Sequence, residues 1–103
     1  MIYFLSLPEI IGDATEVRVL EWHGEPDSSF AQGELIVELE THKSIVEVRA
    51  GQSGVLRSIL CEPGYWAAIG EPLAVFSDAV DDILPATATD ADTKMLNVKF
   101  EVV

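Results

Sequence analysis

The chain has 103 residues, 49% of them hydrophobic, with 18 acidic side chains against 6 basic ones and a formal net charge of -12. That is room for one domain with one modest core. A field of this sign repels phosphate backbones and anionic lipid, which argues against nucleic acid and membrane surfaces as partners and favours proteins that present basic surfaces.

The start, Met1 to Leu7, is apolar but short, lacks a basic stretch, and runs at once into Pro8-Glu9, so it is not read as a signal peptide. No apolar run approaches the roughly 20 residues that span a bilayer. Cys61 is the single cysteine, which excludes an internal disulfide and fits a reducing, cytoplasmic setting.

From Val17 onward the chain reads as strands separated by turns rich in Pro, Asp, Gly and Ser. A weak internal repeat runs through it. Glu25-Pro26 recurs as Glu62-Pro63, and Gly33-Glu34 recurs as Gly70-Glu71, at the same spacing. That offset sets Val19 against Leu56, Trp22 against Ile59, Ile36 against Leu73 and Leu39 against Phe76. Two units this short cannot each bury a face alone. They are expected to pack on one another about a pseudo-twofold axis, giving an all-β, flattened barrel-sandwich hybrid of two small sheets.

Between the two halves lies a hairpin with Lys43 at its tip. Reading outward from His42-Lys43, Thr41 faces Ser44, Leu39 faces Val46, Val37 faces Val48 and Leu35 faces Ala50. These are the buried positions of two period-2 strands, and Glu34, Glu38, Glu40, Glu47 and Arg49 line the other face. Slipping the pairing by one residue turns the apolar row outward, which fixes the register. Lys43 is the only lysine before Lys94, and it is expected to be exposed on a stiff ribbon. Amid Glu38, Glu40 and Glu47 it lacks the desolvation or cationic neighbour that catalytic lysines use.

Asp78 to Thr93 is rich in Ala, Thr and Asp and reads as an acidic linker, so residues 1–78 form the expected domain and 79–103 a tail. Met95 to Val103 alternates again, with Leu96, Val98, Phe100 and Val102 on one face, as an extra last strand that covers an edge of the barrel or pairs with a second copy. His23 and His42 are well separated, without a matching Cys or Asp spacing for zinc, so no metal site is expected. His42 reads as a neutral turn residue, Cys61 as a small buried apolar residue, and Tyr65 and Trp66 as lid or core aromatics. No nucleophile–base pair or phosphate loop points to an enzyme.

The segment ELETHKSIVEV, from Glu38 to Val48, resembles the lipoyl-attachment motif of 2-oxoacid dehydrogenase acyltransferase subunits, where Glu-Thr-Asp-Lys-Ala is typical. Gly33 and Gly54 hold the places of that family's flanking glycines, GEPLAVFSD resembles its closing strand, and LPEIIGDATEVRVLEW its opening strand and surface loop. The resemblance covers residues 5 to 78. His42 stands where Asp is usual and Ser44 where Ala is common, which bears on which enzymes read the tip. The resemblance implies a lipoyl group in amide linkage to Lys43, installed by a lipoate ligase or lipoyl transferase. It further implies a shuttle between a thiamin-dependent decarboxylase, an acyltransferase and dihydrolipoamide dehydrogenase. Biotin carriers share the fold, but their lysine typically lies between methionines, and here the methionines are Met1 and Met95. An unmodified interaction module is the other alternative.

Overall fold

In the computed structural model, residues 2–7, 15–81 and 94–103 are described. The proposed opening surface loop and most of the acidic linker lie outside them. Ten strands follow in order: β1 (Ile2–Leu5), β2 (Glu16–Trp22), β3 (Ser29–Phe30), β4 (Leu35–Glu40), β5 (Ile45–Ala50), β6 (Gly54–Ile59), β7 (Trp66–Ala68), β8 (Ala74–Ser77), β9 (Lys94–Met95) and β10 (Val98–Val102). They form two five-stranded sheets, β10-β5-β4-β2-β7 and β3-β6-β8-β1-β9. The fold is all-β, as the alternation predicts.

The sequence repeat is visible in the hydrogen bonds. Asp27 N–H donates to Leu56 O at 2.6 Å, and one repeat later Gly64 N–H donates to Val19 O at 2.8 Å. Leu56 N–H to Ser28 O (2.9 Å) is matched by Val19 N–H to Tyr65 O (3.1 Å). In each case the half that donates becomes the half that accepts, which is the signature of a twofold relation. β-Bulges fall at equivalent places too, between Val19 and Glu21 in the β2–β4 pair and between Leu56 and Ser58 in the β6–β8 pair. The turns agree as well: Asp27 and Gly64 have φ of 74° and 91°, Gly33 and Gly70 of 93° and 94°.

The inward side chains fill one core between the sheets. Val19 and Leu56, Ile36 and Leu73, and Leu39 and Phe76 are all fully buried, so three of the matched pairs are core partners of the same kind. Each such side chain contributes about 1.5–3 kcal/mol by leaving water.

The hairpin register holds at Leu39↔Val46 and Val37↔Val48, but Leu35 pairs with Arg49 rather than Ala50. A bulge between Leu35 and Val37 inserts one extra residue. It lets Ile36 and Val37, consecutive in sequence, both enter the core, and it leaves Leu35 on the outer face. Ala50 bonds to the strand start instead, donating to Glu34 O (2.9 Å) and accepting from Gly33 N–H (2.7 Å).

The C-terminal segment joins this chain's own sheets, as two short strands where alternation alone suggested one. β9 runs parallel to β1, Leu96 enters the core, and β10 then pairs antiparallel with β5. The crossing is tight. Gly51 N–H donates to Asn97 O at 2.8 Å, and Asn97 N–H donates to Gln52 Oε1 at 3.1 Å. A single ten-residue strap therefore covers an edge of both sheets. No helix of the described residues is long and apolar enough to cross a membrane.

Candidate functional site

Lys43 lies exposed in the turn between β4 and β5. Thr41 N–H donates to Ser44 O at 2.8 Å, closing a two-residue turn over His42 and Lys43. Neither residue has positive φ, so this is not the mirror-image turn that ordinarily matches strand twist. The Thr41 side chain supplies the missing support. Its hydroxyl accepts from Lys43 N–H (3.2 Å) and Ser44 N–H (3.0 Å), and it donates to Ser44 O at 3.3 Å. The backbone around the amine is thus set by local bonds, and the residue that carries it is exposed.

The flanks of the tip are built differently. On one side β10 reaches the tip end of β5, where Val103 N–H donates to Ile45 O at 2.8 Å. On the other side, β2 and β7 support it. The His42 ring stacks on Trp66 with centroids 4.8 Å apart and planes 18° from parallel, and His42 Nε2 lies 3.2 Å from Glu16 Oε1. Arg18 pairs with Glu40 and sits over the Trp66 ring at 5.8 Å. Such ring contacts are worth about 0.5–1.5 kcal/mol each. His42 is therefore more than a bystander in the turn: it is the contact through which the tip leans on β7.

One sequence expectation is narrowed here. Of the two readings of Tyr65 and Trp66, lid or core, the core one falls: both are exposed, and the core aromatic of this half is Phe76. Trp66 is on an edge strand opposite Arg18, whose side chain faces outward, so its alternation phase sends it out while Ala67 turns in. The support for His42 from Glu16, Arg18 and Trp66 was not foreseen, because it joins three strands far apart in sequence. The usable signal was the repeat itself, which sets exposed Trp66 against Ser29.

A family model described as "Biotin-requiring enzyme", covering biotin and lipoyl attachment, matches residues 5–76. The chain belongs to the biotin/lipoyl-attachment family. This attachment domain is 32% identical over 91 residues to the dihydrolipoyllysine-residue succinyltransferase component of the 2-oxoglutarate dehydrogenase complex of Bacillus subtilis, with 87% of this chain and 22% of the relative aligned. It is 31% identical over 99 residues to the mitochondrial pyruvate dehydrogenase complex protein X component of Saccharomyces cerevisiae, covering 91% and 24%. Against the succinyltransferase component of Escherichia coli K12 the identity is 40% over 59 residues, covering 57% and 14%. The chain thus spans less than a quarter of the length of these curated relatives.

Elsewhere in the attachment domain, other reactive groups are accounted for by packing. Burial pushes the Cys61 thiol up from its ordinary range, and the Glu71 carboxylate adds to that, so the thiolate nucleophile is disfavoured. Cys61 Sγ lies 3.7 Å from Tyr65 O. His23 Nε2 lies 2.7 Å from Glu38 and 3.3 Å from Glu21. Ligand atoms of these three residues fall within 4.8 Å of one another, and the closest contact among them is the His23–Glu38 hydrogen bond.

Proposed function

We propose that Lys43 is the attachment residue and that this domain carries a lipoyl group on it, in amide linkage. The observation that supports this most directly is the exposed Lys43 on a turn fixed by Thr41, inside a chain whose family match spans both repeats. The residues present suit such a group. The lysine is exposed at the end of a rigid ribbon, the Thr41 hydroxyl braces the backbone of the turn, and no methionine flanks it as in biotin carriers. The relatives named for dihydrolipoyllysine favour the lipoyl reading over the biotinyl one.

When attached, the lipoyl dithiolane supplies a site for an acyl group and for two electrons. The domain's own residues do the rest. Thr41 holds the turn that an attaching ligase or transferase must recognise, and His42 on Trp66 fixes the tip's tilt. The rigid hairpin keeps the arm at high local concentration near successive active sites of a 2-oxoacid dehydrogenase-type complex. Those sites are a thiamin-dependent decarboxylase, an acyltransferase and a dihydrolipoamide dehydrogenase, and the setting is cytoplasmic. The domain turns over no substrate alone. Residues 1–78 are the carrier unit, and 79–103 form a tail whose last part straps the sheets.

Intact-mass measurement after incubation with lipoate, ATP and a lipoate ligase tests this reading. A single lipoyl adduct is expected on the wild-type chain and none on Lys43→Arg. An unshifted wild-type mass, or a shift that persists in the arginine variant, overturns the assignment. A biotin ligase with biotin, run in parallel, is expected to leave the mass unchanged.

A further inference from the structure

Below Trp66, the turn from β6 to β7 encloses an open groove of about 480 Å³. Its walls mix polar and apolar surface in about equal parts, and their apolar side includes Leu60, Cys61, Tyr65, Trp66 and Pro72. Three of these are large side chains left well exposed: Tyr65 at 67%, Leu60 at 45% and Trp66 at 41%. Two carboxylates, Glu62 and Glu71, also line it, and among the described residues no lysine or arginine does.

The other half of the molecule serves as an internal control. One repeat earlier, the rim positions of Tyr65 and Trp66 are Ser28 and Ser29, the place of Leu60 is His23, and the place of Ala67 is Phe30. Phe30 is buried there, packs on Phe76 with ring centroids 5.9 Å apart, and lies so close to Gly24 that an added Cβ would meet its ring at 2.6 Å. The first half therefore fills the corresponding space with its own ring and gives it a hydroxyl rim. The second half puts alanine where the ring would be and aromatics on the rim. Four backbone hydrogen bonds recur in the two turns, and Cys61 N–H to Leu73 O at 3.2 Å is found in the second alone, so the shared turn geometry does not require the open version.

The acidic groups differ as well. Glu34 is tied down, its carboxylate accepting from Ala31 N–H at 2.8 Å. Its counterpart Glu71 faces the groove beside the Cys61 thiol. Exposed Tyr, Trp and Leu side chains set beside two carboxylates have the composition of a binding hot spot for a partner that is both apolar and cationic. The domain's overall charge of -12 steers the same class of partner towards it.

We propose that this groove docks a segment of a partner protein that presents an apolar side chain flanked by lysine or arginine. Trp66 forms one wall and also carries the His42 ring, so a partner seated there is held one residue from Lys43. Docking would place a partner's active site in register with the tip. The proposal goes beyond the carrier reading and stands whether or not Lys43 is modified.

The test uses a fluorescein-labelled peptide with a Leu-Phe-Leu centre and lysines on both sides, titrated with the full chain. Anisotropy gives affinity, and amide chemical shifts of the 15N-labelled chain give location. Saturable binding is expected, with shifts centred on residues 60–67. Leu60→Ser with Tyr65→Ser should weaken it about tenfold or more, as truncation of hot-spot residues does. Glu62→Gln with Glu71→Gln should weaken it about threefold to tenfold and reduce its salt dependence. Melting curves of both double variants confirm that they are folded, and lipoylation of Lys43 reports separately on the carrier reading. Absence of saturation, shifts spread over the whole acidic surface, or equal binding of a glutamate-flanked peptide would each overturn the proposal. So would concentration-dependent shifts of the same residues without peptide, which would make a second copy the occupant.

Discussion

The β4–β5 pair and the β8–β1 pair occupy equivalent places in the two sheets, yet only the first is joined by a turn. Val37↔Val48 corresponds to Ala74↔Leu5, and Leu39↔Val46 corresponds to Phe76↔Tyr3. At the outer end, Glu40↔Ile45 corresponds to Ser77↔Ile2. In the hairpin sheet the chain continues through Thr41, His42, Lys43 and Ser44. In the other sheet β1 comes to β8 from the opposite end of the described chain. The same strand pairing is therefore stable with and without a connecting turn. Burial of Leu39, Phe76 and their neighbours holds the pair, so the turn residues are released from a structural duty and can be chosen for recognition.

If the two pairs are equivalent, their core residues should matter equally. Leu39→Ala is expected to cost about 2–5 kcal/mol and Phe76→Ala about 3–5 kcal/mol, since each removes a fully buried side chain. For a domain of this size each kcal/mol lowers the melting temperature by about 4–8 °C. Both variants should still unfold in one transition, coincident by near- and far-ultraviolet circular dichroism. Separate transitions would show that the halves are distinct folding units and would break the equivalence.

The C-terminal strap is the second place where the halves part company, parallel on β1 and antiparallel on β5. Gly51→Ala probes it. An added Cβ would come within 2.8 Å of Asn97 O, which is main chain and cannot move aside cheaply. The expected cost is about 1–3 kcal/mol, the usual range for overpacking. Hydrogen exchange should localise it: amides of residues 98–103 should exchange faster, while those shared by β8 and β1 keep their protection. Uniform loss of protection would mean that the strap is integral to the core and not an added edge.

How much of this was legible beforehand follows from the range of the interactions. The repeat, the two-sheet barrel and the Lys43 hairpin are written in period-2 alternation and in Gly and Pro spacing, which are local signals. The bulge at Leu35 was not, because Ile36 and Val37 break alternation only by reference to a core that already exists. The sequence leaves Trp66 between lid and core for the same reason: an aromatic on a three-residue edge strand carries too little pattern to reveal its phase. The His42–Trp66 stack and the Gly51–Asn97 crossing join residues brought close only by the finished topology.

The smallest expected effects come from the matched turns at Asp27 and Gly64. Both residues have left-handed backbone and both donate across to the opposite half, but one position tolerates a side chain in the native sequence. Asp27→Gly should change stability by no more than about 0.5 kcal/mol, because relief of the positive φ is offset by a more flexible unfolded chain. The Asp27–Arg57 contact is long, at 3.5 Å, and exposed on its Asp27 side, so it adds little. Gly64→Asn should cost at most about 1 kcal/mol, since asparagine enters this region more readily than most residues and nothing lies within 4 Å of the added Cβ. Gly64→Val, which has no such freedom, should cost at least about 1–2 kcal/mol in the same urea titrations. An asparagine penalty as large as the valine one would break the match between the turns. Open space rules out a clash at the Cβ, so the constraint would have to come from the neighbouring Tyr65 and Trp66 rings, in whose places the first half has Ser28 and Ser29.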